Sequence, residues 1–229
     1  MQNFRWVGEL RDDVHVYRIN LNQPPDVIDG FLSYLSPEEL ERANRYRIDR
    51  ARLQFTLTRG FLRQLLGDKL GIAPDKVPIT YTASGKPTLA NPDLQLYFNV
   101  THTDGLALIA LSDRLVGIDV ERQRFLSNPE GLVDRFFSHV EAQIFQALSP
   151  ELRLWGLFRG WTCKEAILKA AGLSLAHLDT FDVELHPARP ATLLASRHPA
   201  LLEGRWCLTT WEPAAGYVAA LATKLDSLK

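Results

Sequence analysis

The chain has 229 residues, 46% hydrophobic and 23% charged, an ordinary globular composition long enough to bury a core as one large domain or two small ones. A net charge of −1 excludes a global field drawing it to nucleic acid or anionic membranes, so any affinity for anions must be local. Cys163 and Cys207 are too few for a disulfide framework or a zinc site; with no leader-like N-terminus and no apolar run near the roughly 20 residues of a membrane span, a cytoplasmic protein is expected.

Ser36-Pro37-Glu38-Glu39 predicts a helix start: Ser36 caps, Pro37 suits the first turn and Glu39 completes a capping box. From Asp49 to Leu70, Leu53, Leu57, Phe61, Leu62, Leu65 and Leu66 recur at helical spacing, and Gly71 makes a C-terminal stop. The period then changes. Residues 79–83, 95–101, 106–112 and 115–120 read as strands, separated by the turn signals Ser84-Gly85, Asn91-Pro92 and Asp104-Gly105.

The second half echoes the first. Ser138-His139-Val140-Glu141 repeats the Ser36 motif, Arg159-Gly160-Trp161 matches Arg59-Gly60-Phe61, and Ala215–Leu221 matches Thr103–Leu111. Three echoes in one order predict an α+β chain of two pseudo-repeats, 1–112 and 113–229, each a long helix with a small antiparallel sheet. Halves paired about a pseudo-two-fold axis leave a cleft between them, a favoured ligand site.

Four motifs carry charge toward that cleft. In Gly117-Ile118-Asp119-Val120-Glu121, the two acids lie on one side of a strand about 6.6 Å apart, while Ile118 and Val120 face a core. Alone, such a pair is also what a solvated strand end looks like; with a cation between them the acids suit Mg²⁺, which takes oxygen ligands and keeps waters. In Trp161-Thr-Cys-Lys-Glu-Ala-Ile-Leu-Lys169, Glu165 and Lys169 share a helix face as a third carboxylate or base beside a phosphate-binding lysine, or as a plain surface ion pair. Phe98–Thr103 ends a hydrophobic strand on His102 between Thr101 and Thr103, and Gly85-Lys86-Pro87 puts a lysine on a tight turn. Finally Arg42, Arg45, Arg47, Arg50, Arg52, Arg59 and Arg63 crowd one helical region, and a subset of them can grip phosphate through bidentate forks. A cation site, a base beside a lysine, a histidine and a basic clamp together fit chemistry on a phosphoanhydride.

These blocks, GKP at 85–87, FNVTHT at 98–103, VGIDVE at 116–121, FFSHVE at 136–141 and WTCKEAILKAAG at 161–172, resemble the larger, Sfp-type 4′-phosphopantetheinyl transferases. The resemblance implies a monomer of two similar halves that moves the phosphopantetheine arm of coenzyme A to a serine of an apo acyl or peptidyl carrier protein, releasing 3′,5′-ADP. It implies Mg²⁺ held by Asp119, Glu121 and Glu165, with Glu165 as base, and Lys169 and His102 on the pyrophosphate. Lys86, Thr101, Arg47 and Arg52 are implied at the adenosine end, with Arg50 an alternative to the other two arginines on the 3′-phosphate. The leucine- and proline-rich stretch 173–202 is a candidate carrier-docking region, or simply the second sheet and its loops. Two other readings of the residues are a polyanion- or RNA-binding protein using the arginine-rich helix, and a Mg²⁺-dependent nucleotide hydrolase; the near-zero net charge argues against the first, and no nucleic-acid or membrane partner is expected.

Overall fold

The computed structural model describes residues 4–11, 14–82 and 85–225, with side chains from residue 14 onward apart from Pro92. The first half comprises β1 (Phe4–Arg11), β2 (Val14–Asn20), α1 (Pro25–Asp29), α2 (Pro37–Asn44), α3 (Asp49–Leu70), β3 (Ile79–Tyr81), β4 (Pro87–Leu89), β5 (Tyr97–Thr103) and β6 (Leu106–Ser112). Its main sheet is antiparallel in the order β1-β2-β6-β5, and β3 pairs β4 separately. The second half comprises β7 (Val116–Arg122), α4 (Pro129–Phe136), α5 (His139–Ala147), α6 (Pro150–Ala171), β8 (Phe181–Val183), β9 (Leu193–Ser196), α7 (Pro199–Leu202), β10 (Arg205–Trp211) and β11 (Tyr217–Leu225). Here the main sheet is β10-β11-β7, and β8 pairs β9. The chain is thus α+β, with a long helix on a small antiparallel sheet occurring twice.

Alternation along the strands decides which surface each sheet presents to which layer. In β6, Ala107, Ile109 and Leu111 pack with Leu57, Phe61, Leu62 and Leu66 of α3. The intervening Leu106, Leu108 and Ala110 pack with Ile118 and Val120 of β7 and Ala219 and Leu221 of β11. The two sheets therefore meet through a shared apolar layer, with α3 and α6 on the outer faces. Ile118 and Val120 are buried there, as their spacing predicts. It follows that Gly117, Asp119 and Glu121 face the other way, toward α6. Gly117 permits that approach, since a Cβ at this position would sit 2.0 Å from the Ala166 carbonyl oxygen.

The repeat extends to buried charge. The capping box at Ser36 forms, and Glu39 also receives the guanidinium of Arg63, with Arg59 Nε 3.5 Å away. Ser138 and Glu141 form the same box at α5, and Glu141 receives Lys164 Nζ at 2.7 and 2.6 Å. Both long helices end on left-handed glycines, Gly71 (φ 68°) and Gly172 (φ 71°), a conformation in which other residues are strained. The capping glutamates do more than start helices, because each ties a short helix to the long one that follows.

Several boundaries differ from expectation, among them β7, which runs Val116–Arg122 rather than 115–120. Strand β5 begins at Tyr97 because a 3-10 turn, Pro92–Leu94, and a left-handed Gln95 (φ 43°) precede it. It runs to Thr103 because Asp104 (φ 35°) and Gly105 (φ 87°) make a two-residue hairpin turn with both φ positive, the arrangement that matches strand twist. The arginine-rich region is not one helix: α2 ends at Asn44 and α3 starts at Asp49, so its arginines point in several directions. Strand β3 ends at Tyr81, short of the expected 79–83, and of the expected Ser84-Gly85 turn Ser84 lies outside the described residues.

Candidate active site

The acids converge where β7, α6 and β5 meet. Asp119 is 3% exposed, and its Oδ1 accepts Lys169 Nζ at 2.6 Å and Thr101 Oγ1 at 3.0 Å. Its Oδ2 is buried and has no hydrogen-bond partner among the described residues. Lys169 Nζ also lies 3.4 Å from Glu165 Oε2, so the ammonium sits between the strand acid and the helix acid. Burial, then Asp119, then Glu165 push the Glu121 carboxyl up to about 7, while Arg124 pulls it down. Burial and Asp119 raise the Glu165 carboxyl, opposed by Lys169 and a hydrogen bond from Trp161. Burial works against the Lys169 charge, but Asp119 and Glu165 outweigh it and hold that ammonium above its ordinary value. Each acid makes ionisation of the next harder, and one cation shared between two of them relieves it.

Lys86 approaches from the other half. Its Nζ donates to the Lys169 carbonyl oxygen at 2.5 Å, at the C-terminal end of α6. Burial and the nearby Lys169 lower its pKa to about 8. His102 is one residue beyond Thr101 on the strand, and desolvation, with Lys169, lowers its pKa.

Three cavities open around this cluster. One of about 250 Å³ is lined by Arg42, Tyr46, Phe55, Thr58, Arg59 and His102. Arg59 Nη1 and Thr58 Oγ1 are buried without hydrogen-bond partners among the described residues, and the Arg59 guanidinium lies against the Phe55 and Tyr81 rings. A second, of about 580 Å³, shares Pro87 and Val100 with the first and holds Lys86, Asn99, Glu165 and Lys169 against Leu168 and Leu173. A third, of about 160 Å³, runs from Glu121 to Leu126, Leu132, Phe136 and Trp161.

Asp119, Glu121, Glu165, Lys169, Thr101, Lys86 and His102 are therefore gathered at one place, on both sides of the cleft. Arg47 and Arg52 do not line these cavities: both are exposed, and Arg52 pairs with Asp49 at 3.6 Å. Arg42 and Arg59 stand in the cavity instead. Arg42 lies on α2 and Arg59 about two turns beyond Arg52 on α3, so it is the packing of the two helices, which arginine density does not show, that selects them. Thr101 and Lys86, expected with those arginines, instead reach Asp119 and the end of α6. Asn99, in the FNVTHT strand, reaches the backbone of β7 and was not singled out from sequence.

Among the described residues, no three histidine, cysteine or acid side chains converge closely enough to hold a metal by themselves. The residues nevertheless fit a hard divalent cation: all donors are oxygens, one buried Asp119 oxygen lacks a partner, and the surrounding acids are held above their ordinary pKa. Further oxygens for such an ion must come from substrate and solvent. No described helix is long and apolar enough to cross a membrane.

Residues 115–222 match the family described as the 4′-phosphopantetheinyl transferase superfamily, and residues 24–114 match its N-terminal family, described as 4′-phosphopantetheinyl transferase, N-terminal. The 4′-phosphopantetheinyl transferase HetI of Nostoc sp. is 40% identical over 216 residues, covering 93% of this chain and 88% of HetI. The human L-aminoadipate-semialdehyde dehydrogenase-phosphopantetheinyl transferase is 31% identical over 165 residues, 67% of this chain and 53% of that protein. AcpT of Escherichia coli, also a 4′-phosphopantetheinyl transferase, is 35% identical over 125 residues, 54% of this chain and 62% of AcpT.

Proposed function

The chain belongs to the 4′-phosphopantetheinyl transferase superfamily, and from that premise we propose how its residues carry out the transfer. It is a 4′-phosphopantetheinyl transferase, moving the phosphopantetheine of coenzyme A onto a carrier protein. The finer reading is an Sfp-type, Mg²⁺-dependent, monomeric enzyme of two halves, 1–112 and 113–229, releasing 3′,5′-ADP. The observation carrying it is the buried oxygen of Asp119 that lacks a partner among the described residues, beside the Lys169–Glu165 pair that lines the 580 Å³ cavity.

The roles follow from position. Asp119 and Glu121, with Glu165, would hold the cation, which when bound would supply positive charge to offset that of the pyrophosphate. Lys169 and Lys86 add positive charge at the same place, and Arg42, Arg59 and His102 receive the adenosine end with its 3′-phosphate. Glu165, oriented by Lys169, whose ammonium favours its ionised form, takes the proton of the carrier serine. The serine oxygen then attacks the β-phosphorus, the bond to the bridging oxygen breaks, and 3′,5′-ADP departs with that electron pair. Most of the acceleration in such a transfer is positioning and charge neutralisation, which this cluster supplies.

Mass spectrometry of apo acyl and peptidyl carrier proteins incubated with enzyme, coenzyme A and Mg²⁺ tests this reading. A phosphopantetheine-sized mass gain, with 3′,5′-ADP released in equal amount, is the expected result. Asp119→Ala abolishes transfer while leaving the circular-dichroism spectrum intact. Unmodified carriers across a broad panel, or an active Asp119→Ala variant, would overturn it.

A further inference from the structure

Strand β7 is the free edge of its sheet and β5 the free edge of the other, and the two edges lie beside each other without a backbone ladder. Where the ladder is missing, the Oδ1 of Asn99 accepts the backbone N–H of Ile118 at 2.8 Å. Asn99 is 4% exposed. Asparagine is disfavoured in strands, and a buried amide is penalised unless it is hydrogen-bonded, so an apolar residue would suit this position if packing alone decided. The Ile118 amide immediately precedes Asp119. Two residues along the same face of β5, Thr101 Oγ1 donates to the Asp119 carboxylate itself. Strand β5 thus grips both the backbone leading into Asp119 and one oxygen of its side chain, leaving the other oxygen for the cation.

We propose that Asn99 is a positioning residue for the reaction: by accepting the Ile118 amide it fixes the phase of β7 so that Asp119 presents its unpartnered oxygen to the cation. The first half of the chain thereby sets the geometry of an acid carried by the second. The inference rests on the reading of Asp119 as a cation ligand, so Asp119→Ala serves as the reference. Groups that orient a metal ligand affect metal affinity or activity by about 10- to 100-fold when removed.

The test uses Mn²⁺ as the probe ion, bound to the full chain and followed by electron paramagnetic resonance, with Asp119→Ala first shown to lose binding. Asn99→Leu keeps the branched four-atom shape, though with more bulk, and removes the acceptor; Asn99→Ala is the second variant should leucine not fold. The expected result is Mn²⁺ binding weakened about 10- to 100-fold, kcat lowered in the same range and KM for coenzyme A within about twofold. Amide exchange at Ile118 is faster in the variant. Tyr217→Phe removes another hydrogen bond between the halves, Tyr217 Oη to the Asp104 carbonyl oxygen at 2.9 Å, and leaves all four readouts as in wild type. A folded Asn99 variant with wild-type Mn²⁺ affinity and Ile118 protection overturns the proposal. So does a Tyr217→Phe loss as large as that of Asn99→Leu, which would mean general loosening between the halves.

Discussion

Lys164 stands beside Glu165 in the helix motif, yet its substitution is predicted to act on stability rather than on the chemistry. Its side chain is fully buried, its Nζ donates to both Glu141 oxygens and to the Phe181 carbonyl at 2.8 Å, and it lies 4.5 Å from the Phe181 ring centre. Removing one member of a buried pair strands the other, typically at about 3–5 kcal/mol. In Lys164→Met, Glu141 keeps the amides of Ser138 and Val183 but loses its cation, and burial already pushes its carboxyl upward. Its cheapest response is to bind a proton. Protonating a carboxyl of ordinary pKa near 4.3 at pH 7 costs at most about 3.7 kcal/mol, and at pH 5 only about 1 kcal/mol. The sign follows from linkage: the folded variant binds the extra proton, so its deficit relative to wild type grows as pH rises above the unfolded pKa and shrinks as pH falls. Urea unfolding of wild type and variant at pH 5, 6 and 7, followed by circular dichroism, measures this. The double variant Lys164→Met, Glu141→Gln is expected to recover part of the pH 7 loss. A deficit below about 1 kcal/mol at pH 7, or one that does not change with pH, refutes the reasoning.

Two further outcomes follow from the site. Arg42 lines the 250 Å³ cavity beside Arg59 and His102, so Arg42→Met should weaken coenzyme A binding about tenfold, the scale of one charge-assisted hydrogen bond, while barely changing affinity for 3′-dephospho-coenzyme A. Arg47→Ala and Arg52→Ala should leave both affinities near wild type by isothermal titration calorimetry, and a loss there equal to that of Arg42→Met would move the phosphate out of the cavity lined by Arg42 and Arg59. Cys163 is 0% exposed and burial pushes its thiol up to about 12, so native protein treated with iodoacetamide at pH 8 should carry no label there by peptide mass spectrometry until it is unfolded.

The sequence by itself determined what depends on local pattern. Helical spacing between Asp49 and Leu70, the capping boxes at Ser36 and Ser138, and the Asp104-Gly105 hairpin are all written in neighbouring residues, and they form where the pattern puts them. The pairing of Asp119 with Glu121 on one strand face follows from alternation alone. Identity of the arginines was not legible in the same way, because seven similar side chains straddle a break that only packing of α2 against α3 makes definite. Strands β1 and β2 were not signalled at all. The same holds for Lys164, whose place in a catalytic-looking motif gives no hint that it is sealed against Glu141. What the tertiary structure alone decided is how the halves meet: Lys86 on the end of α6, Thr101 on Asp119 and Asn99 on the Ile118 amide join residues 18 to 83 positions apart. Such contacts carry no local periodicity. They exist because two sheet edges and a helix end come together, and the side chains at that junction must satisfy the polar groups left open there.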